Sequence, residues 1–316
     1  MSGAAPKLQL SPEILATAKT LRVDAVTAEV LRELAPDGIE PILLKGPAFA
    51  RWLYDEGELR KYGDTDLLVS PREAERVEAV LIGLGFGFGR DGGPRDPSLP
   101  ENLHWVRGDD EVDVHTALLG ARAEPAHQWN VLRQHTEATA VNGEPVLSLS
   151  EPARTLQLAL HAAQHGRRAG RPLEDLARGL ARLPFDRWRQ AAALAVEIDA
   201  VIPFSVGLRL RPDGAEIAER LGLPDALSVE DALHADSATS IAVGLSRLLK
   251  TRGARAKAAL VLRELFPSVE FMRLWAPTRR FGAPGLLLGY VWRPLSLAAA
   301  SPRAIYAFFR ASRAAR

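Results

Sequence analysis

Asp64 and Asp66 stand one residue apart and run directly into Leu67-Leu68-Val69. On a strand, residues two apart face the same side, so the pair can offer two carboxylates to one point. Two carboxylates, completed by phosphate oxygens and water, suit Mg²⁺ (or Mn²⁺), hard cations that take oxygen ligands. Val112-Asp113-Val114 supplies a third carboxylate between apolar neighbours. That alternation aims the acid at a site and the valines at a core. In a two-metal arrangement the third acid can also act as general base on an attacking hydroxyl. Asp64 and Asp66 are the firmer pair, because Asp113 depends on reading its surroundings as a hairpin.

Leu43-Leu44-Lys45-Gly46 reads as a strand running into glycine at a helix start. Such a junction binds phosphate through backbone amides, glycine permits close approach, and Lys45 adds a positive charge. Each piece alone is common. An Asp-x-Asp is often a solvated loop end, Lys-Gly is often a plain cap, and a lone strand aspartate often guards a sheet edge. The three in this order point to metal-assisted chemistry on a phosphate.

Several neighbours can join them. Arg60 either contacts a phosphate or pairs with one of the acids. His115 follows Asp113 by two and shares its face; it either assists proton transfer and substrate orientation, or packs and hydrogen-bonds Asp113 or the backbone. His161 and His165 are four apart on one helical face. Without a third ligand they do not specify zinc, and substrate contact or helix packing is the expectation. Asp175 is expected to pair with one of these imidazoles, and Lys61 and Tyr62 to lie at the surface.

The elements that must position these groups are legible as well. Ser11-Pro12-Glu13 starts a helix with a capping serine and proline at the first turn. Strands are expected at Pro41–Leu44 and Asp66–Val69, and a helix over Ala48–Tyr54 between them. Ser70-Pro71-Arg72-Glu73 reads as a capping box opening a helix to about Leu84. Residues 87–100, rich in Gly, Pro and Asp, read as a loop. His104–Arg107 and Glu111–His115 read as a hairpin, and Asn142-Gly143 as a further turn. From Ser150 onward helical periods dominate. The expectation is an α/β fold: a small mixed sheet flanked by helices over residues 1–150, then a mainly helical domain over 151–316 that forms one wall of the cleft.

Composition bounds the rest. The 316 residues are 47% hydrophobic and 25% charged, which suits a folded chain. With no cysteine, disulfides, thiolate zinc sites and cysteine nucleophiles are excluded. Neither a secretory leader nor a stretch long enough to span a bilayer is evident, so the expected location is the cytoplasm. The chain carries +1, yet residues 271–316 hold eight arginines and no acid, leaving the remainder at −7. A basic end on an acidic body suits an anionic partner such as RNA or an acidic peptide, or docking on the protein's own acidic surface. Leu286–Trp292, flanked by arginine, reads as helical core.

Leu43-Leu44-Lys45-Gly46, Leu53-Tyr54, Leu59-Arg60 and Gly63-Asp64-Thr65-Asp66-Leu67-Leu68-Val69 together resemble the uncharacterised nucleotidyltransferase family of bacteria. That family lies within the DNA polymerase β-like nucleotidyltransferase superfamily. Val112-Asp113-Val114-His115 is similar to its hydrophobic-Asp-hydrophobic-His element. His161-Ala162-Ala163-Gln164-His165 with Leu173-Glu174-Asp175-Leu176 looks like its helical His-x-x-x-His and acidic element. The resemblance implies a Mg²⁺ site at Asp64, Asp66 and Asp113, and a nucleoside triphosphate, ATP first, held near Lys45, Gly46, Arg60 and His115. It implies transfer of a nucleoside monophosphate to an acceptor that is a peptide or protein, an RNA or a small molecule, and a role in natural-product biosynthesis. One departure is Pro47, where the superfamily usually has serine or glycine. Proline removes a hydroxyl and an N–H, which keeps open a non-catalytic nucleotide- or peptide-binding protein of the same fold. Phosphoryl transfer at the same site is the other alternative.

Overall fold

The computed structural model describes residues 11–89, 103–167 and 170–225, with 253–267, 281–314 and scattered positions between 241 and 278. Helix α1 (Pro12–Leu34) begins as expected: Ser11 Oγ accepts from the Ile14 amide and Pro12 occupies the first turn. The described strands β1 (Ile42–Leu43), β2 (Thr65–Leu68), β3 (Gly87–Phe88), β4 (Leu103–Arg107), β5 (Asp110–His115), β6 (Thr136–Val141) and β7 (Glu144–Leu149) form one mixed sheet. Its order is β3-β4-β5-β2-β1-β7-β6. The two-residue strand β1 lies inside it, antiparallel to β2 and parallel to β7.

Both faces of the sheet are covered, and the chain alternates between them. Leu43, Leu67, Val69, Val112 and Val114 enter a core closed by α1 and α3 (Ala74–Gly83). Ile42, Leu44, Leu68 and Leu149 face the other way, into a larger core with Phe49 and Leu53 of α2 (Pro47–Leu53) and Leu132 of α4 (Pro125–Gln134). That core continues into α5 (Glu151–His165), α6 (Gly170–Arg182), α7 (Phe185–Glu197), α8 (Val201–Leu208) and α9 (Pro212–Arg220). Each fully buried Leu or Val of these strands contributes roughly 1.5–3 kcal/mol. Helices α5 and α8 meet backbone to backbone. A Cβ placed on Gly207 would lie 1.9 Å from the Ala159 carbonyl oxygen.

The mixed α/β architecture is as read from the sequence, with local differences. Helix α3 starts at Ala74, after a turn, and Glu73 makes no side-chain cap. Ser70 accepts from Arg72 instead, so the capping-box reading fails: Pro71 starts a turn here, not a helix. Gly87-Phe88 is a strand, β3, paired with β4, whereas residues 90–100 of the expected loop lie outside the described residues. Asn142-Gly143 is a two-residue hairpin turn with φ of 47° and 85°, as Asn-Gly turns favour.

Towards the C-terminus lie α10 (Ala254–Leu265) and the 33-residue α11 (Gly282–Ala314). Arg293 is buried and donates to the Glu264 carbonyl, so one arginine of the basic stretch does turn inward. Leu287, Leu288, Val291 and Trp292 are exposed, correcting their expected place in a helical core. Among the described residues, α11 buries only its opposite edge, at positions such as Gly289, Arg293 and Ala304. No described helix is long and apolar enough to cross a membrane.

Candidate active site

The parallel register of β2 and β5 sets Asp66 beside Asp113 and Leu68 beside His115. Val112 and Val114 are buried on the α1 side, which leaves Asp113 and His115 facing the α5 side with Asp66. Asp64 sits one residue before β2. The start of that strand is pinned to α1 by a buried contact between the Thr27 and Thr65 hydroxyls, 2.7 Å apart. Lys45 and Gly46 follow β1, whose neighbour Leu44 donates its amide to the Asp66 carbonyl.

One cavity of about 310 Å³ gathers Lys45, Gly46, Arg60, Asp64, Asp66, Asp113, His115, His161 and His165, with Tyr62, Leu119, Gln164, Arg171 and Pro172. Every residue singled out from the sequence as a site candidate therefore lines the same space. Asp66 is 3% exposed, and its Oδ1 receives Lys45 Nζ at 2.7 Å and His115 Nε2 at 3.1 Å. Burial opposes its charge, but Lys45 and then His115 outweigh that and hold the carboxyl well below the usual range. Asp64 behaves oppositely. Burial, then the charge of Asp66, push it up, and Lys45 offsets this only in part. Asp64 has no hydrogen bond or ion pair among the described residues.

One ligand atom each from Asp66, Asp113 and His115 lie within 4.8 Å of one another, close enough to share a cation. The carboxylate oxygens suit Mg²⁺ or Mn²⁺, and an imidazole in the set suits Mn²⁺ better than Mg²⁺. The uncompensated charge of Asp64 beside them adds to the demand for a cation. The residues present thus fit a divalent metal.

Other partners differ from expectation. His115 bonds Asp66, not Asp113. Asp113 Oδ1 is 2.6 Å from His104 Nδ1 instead, and that hydrogen bond raises the His104 pKa against burial. The sequence reading passed over His104. The hairpin held the signal, because the turn pairs Arg107 with Asp110 and so His104 with Asp113. Arg60 does not pair with a site acid. It makes a two-pronged bond to Asp175 of α6, with Nη2 at 2.7 Å from Oδ2. Asp175 also accepts from the Tyr54 hydroxyl at 2.8 Å and does not meet the imidazoles. Tyr62 is buried, not at the surface: its hydroxyl donates to Asp24.

The lysine–glycine junction is tight. Gly46 has φ of 56°, and its missing side chain faces the Tyr62 ring 3.4 Å away. Pro47 offers no amide and the Ala48 amide donates to the Lys45 carbonyl. Cationic charge around the cavity therefore comes from the side chains of Lys45, Arg60 and Arg171. On α5, His161 and His165 stack edge to face at 4.8 Å. Burial, and after it Lys45, lower both pKa values, so both rings are neutral near pH 7.

Two solved structures of the antibiotic-resistance factor ANT(2'')-Ia share a low overall likeness. A solution structure matches with TM-score 0.42 and 16% identity, over 58% of this chain and 96% of that one. A crystal structure of ANT(2'')-Ia in complex with adenylyl-2''-tobramycin gives TM-score 0.35 and 16% identity, over 62% and 97%. No curated protein matches the sequence. The family described as "Uncharacterised nucleotidyltransferase" matches residues 9–211. That span exceeds half of the chain and holds every residue of the cavity, and the chain belongs to this family of uncharacterised nucleotidyltransferases.

Proposed function

We propose that the protein moves a nucleoside monophosphate from a nucleoside triphosphate, ATP first, to a hydroxyl-bearing acceptor. The observation that carries this reading is the β2–β5 register, which faces Asp66 and Asp113 into one cavity with Lys45 and Gly46. Asp66, Asp113 and His115 would hold a divalent cation, with Asp64 close by. When bound, that cation supplies charge stabilisation at the phosphate and orients the triphosphate.

The chain's own groups account for the rest. Lys45 and Arg171 attract the β- and γ-phosphates, and Gly46 lets them approach the backbone. The acceptor oxygen attacks the α-phosphorus, the bond to the bridging oxygen breaks, and pyrophosphate leaves. Asp113 takes the acceptor proton, and its bond to His104 orients the receiving oxygen. Substituting Asp66→Asn removes a charged ligand while keeping shape. Isothermal titration with Mg²⁺ or Mn²⁺ and a pyrophosphate-release assay should then show loss of both metal binding and turnover. Robust transfer by that variant would defeat the mechanism.

A second reading is a non-catalytic nucleotide binder. Pro47, together with Lys45 held 2.7 Å from Asp66, favours it. Titration of the native chain with each nucleoside triphosphate and Mg²⁺, followed by product analysis, separates the two. Binding with neither pyrophosphate nor nucleoside diphosphate released supports the binder.

A further inference from the structure

A small recess opens beside the cavity, between residues 117–119 and α5. Its volume is about 20 Å³, and it shares Lys45, His115, Leu119, His161 and Gln164 with the larger space. That is room for about one water-sized group. Its walls are mostly apolar, with Leu44, Leu118 and Leu160. Two side chains of its lining nevertheless carry a buried polar atom with no partner among the described residues: Gln157 Oε1 and His161 Nδ1. Gln157 is only 5% exposed. It is four residues before His161 and so shares its helical face. Leaving a buried polar atom unpaired costs roughly 1–3 kcal/mol. An apolar side chain at position 157 would avoid that cost.

We propose that this recess is a subsite for an uncharged hydroxyl of the substrate, held by Gln157 and His161. The inference rests on the nucleotidyl-transfer reading for what the substrate is, but not for the recess itself. A hydroxyl both donates and accepts. It can donate to Gln157 Oε1 and complete the bond of a neutral His161, whichever ring nitrogen carries the proton. An ammonium is disfavoured, because no carboxylate lines the recess and Lys45 stands at its mouth. A carboxylate would face the Gln157 oxygen among leucines. Two molecules carry such a group: the nucleotide, through its ribose, and a polyhydroxylated acceptor.

The test compares the full-length chain with Gln157→Met, a swap of similar volume, and with His161→Phe as a second variant. Affinities for ATP and 2′,3′-dideoxy-ATP with Mg²⁺ are measured by calorimetry. In parallel, the Gln157 side-chain amide signal, identified by its loss in Gln157→Met, is followed by NMR during addition of glycerol, ethylammonium or acetate. If the hydroxyl is the ribose's, the native chain binds ATP about tenfold tighter than the dideoxy form, and both variants lose that preference. If it is the acceptor's, the variants bind both nucleotides alike and as tightly as the native chain. Glycerol then moves the amide signal in the native chain and not in His161→Phe. The proposal is overturned if dideoxy-ATP binds as well as ATP and glycerol leaves the signal in place, or if the charged probes move it as far as glycerol does. Should neither nucleotide bind the native chain, the nucleotidyl-transfer reading fails, and the NMR arm still decides the recess.

Discussion

Two clusters of buried charge lie close together in this protein and are built on opposite plans. At the contact of α2, the following loop and α6, Asp175 is enclosed. Both its oxygens receive Arg60, one also receives Tyr54, and the pair is almost fully shut from solvent. At the cavity, one oxygen of Asp66 takes both Lys45 and His115, while Asp64 has no described partner and resists ionisation. In the first cluster both oxygens of Asp175 are taken, so that acid holds helix to loop and has nothing to offer a cation. The second keeps carboxylate oxygens uncommitted, as the proposed metal site requires. Satisfaction of the acid, more than its burial, separates scaffold from site.

The contrast can be broken at its strongest point first. Asp175→Ala strands a buried guanidinium and should cost roughly 3–5 kcal/mol, read as a large fall in the denaturation midpoint. A loss below about 1 kcal/mol would mean that Arg60 finds water or another acid, and the scaffold assignment would fall. Gly46→Ala forces a side chain onto a backbone with φ of 56° and ψ of −117° and should cost roughly 1–3 kcal/mol. Calorimetry should show weaker nucleotide binding alongside that loss, and unchanged binding would remove the junction from the site. Asp64→Asn should act in the opposite direction. Relieving an unneutralised, half-buried acid should raise stability by about 1 kcal/mol, while metal binding and turnover fall. A destabilised Asp64→Asn would place Asp64 in the scaffold class and erase the distinction.

The legible part of this molecule was its local chemistry. The alternation in Val112-Asp113-Val114 and the run after Asp66 assign the strand faces seen here, because a period of two is a property of the backbone itself. The Asn142-Gly143 turn and the Ser11 cap are local in the same sense. What escaped the reading depends on distant segments. Arg60 meets Asp175 across 115 positions, and nothing near either residue specifies the other. Tyr62 sits between Lys61 and Gly63 and looks exposed until Asp24 of α1 and the bare backbone of Gly46 enclose it. His115 chose Asp66 over Asp113 because the facing strand supplies His104 first. The apolar run Pro41-Ile42-Leu43-Leu44 reads as a buried strand, and β1 does lie inside the sheet, but so short a run does not name β2 and β7 as its neighbours.

Gly207 gives the cavity one more property. Its bare α-carbon lets the α8 backbone press against the Ala159 carbonyl, on the helix that presents Gln157, His161, Gln164 and His165. A helix seated backbone to backbone has no side-chain cushion through which to slide, which favours a wall already in place when a substrate arrives. For the proposed substrate, recognition there would be a matter of preorganisation. The entropic cost of arranging the polar atoms of α5 is met during folding, and the arriving molecule is selected by how well it fits groups already in place.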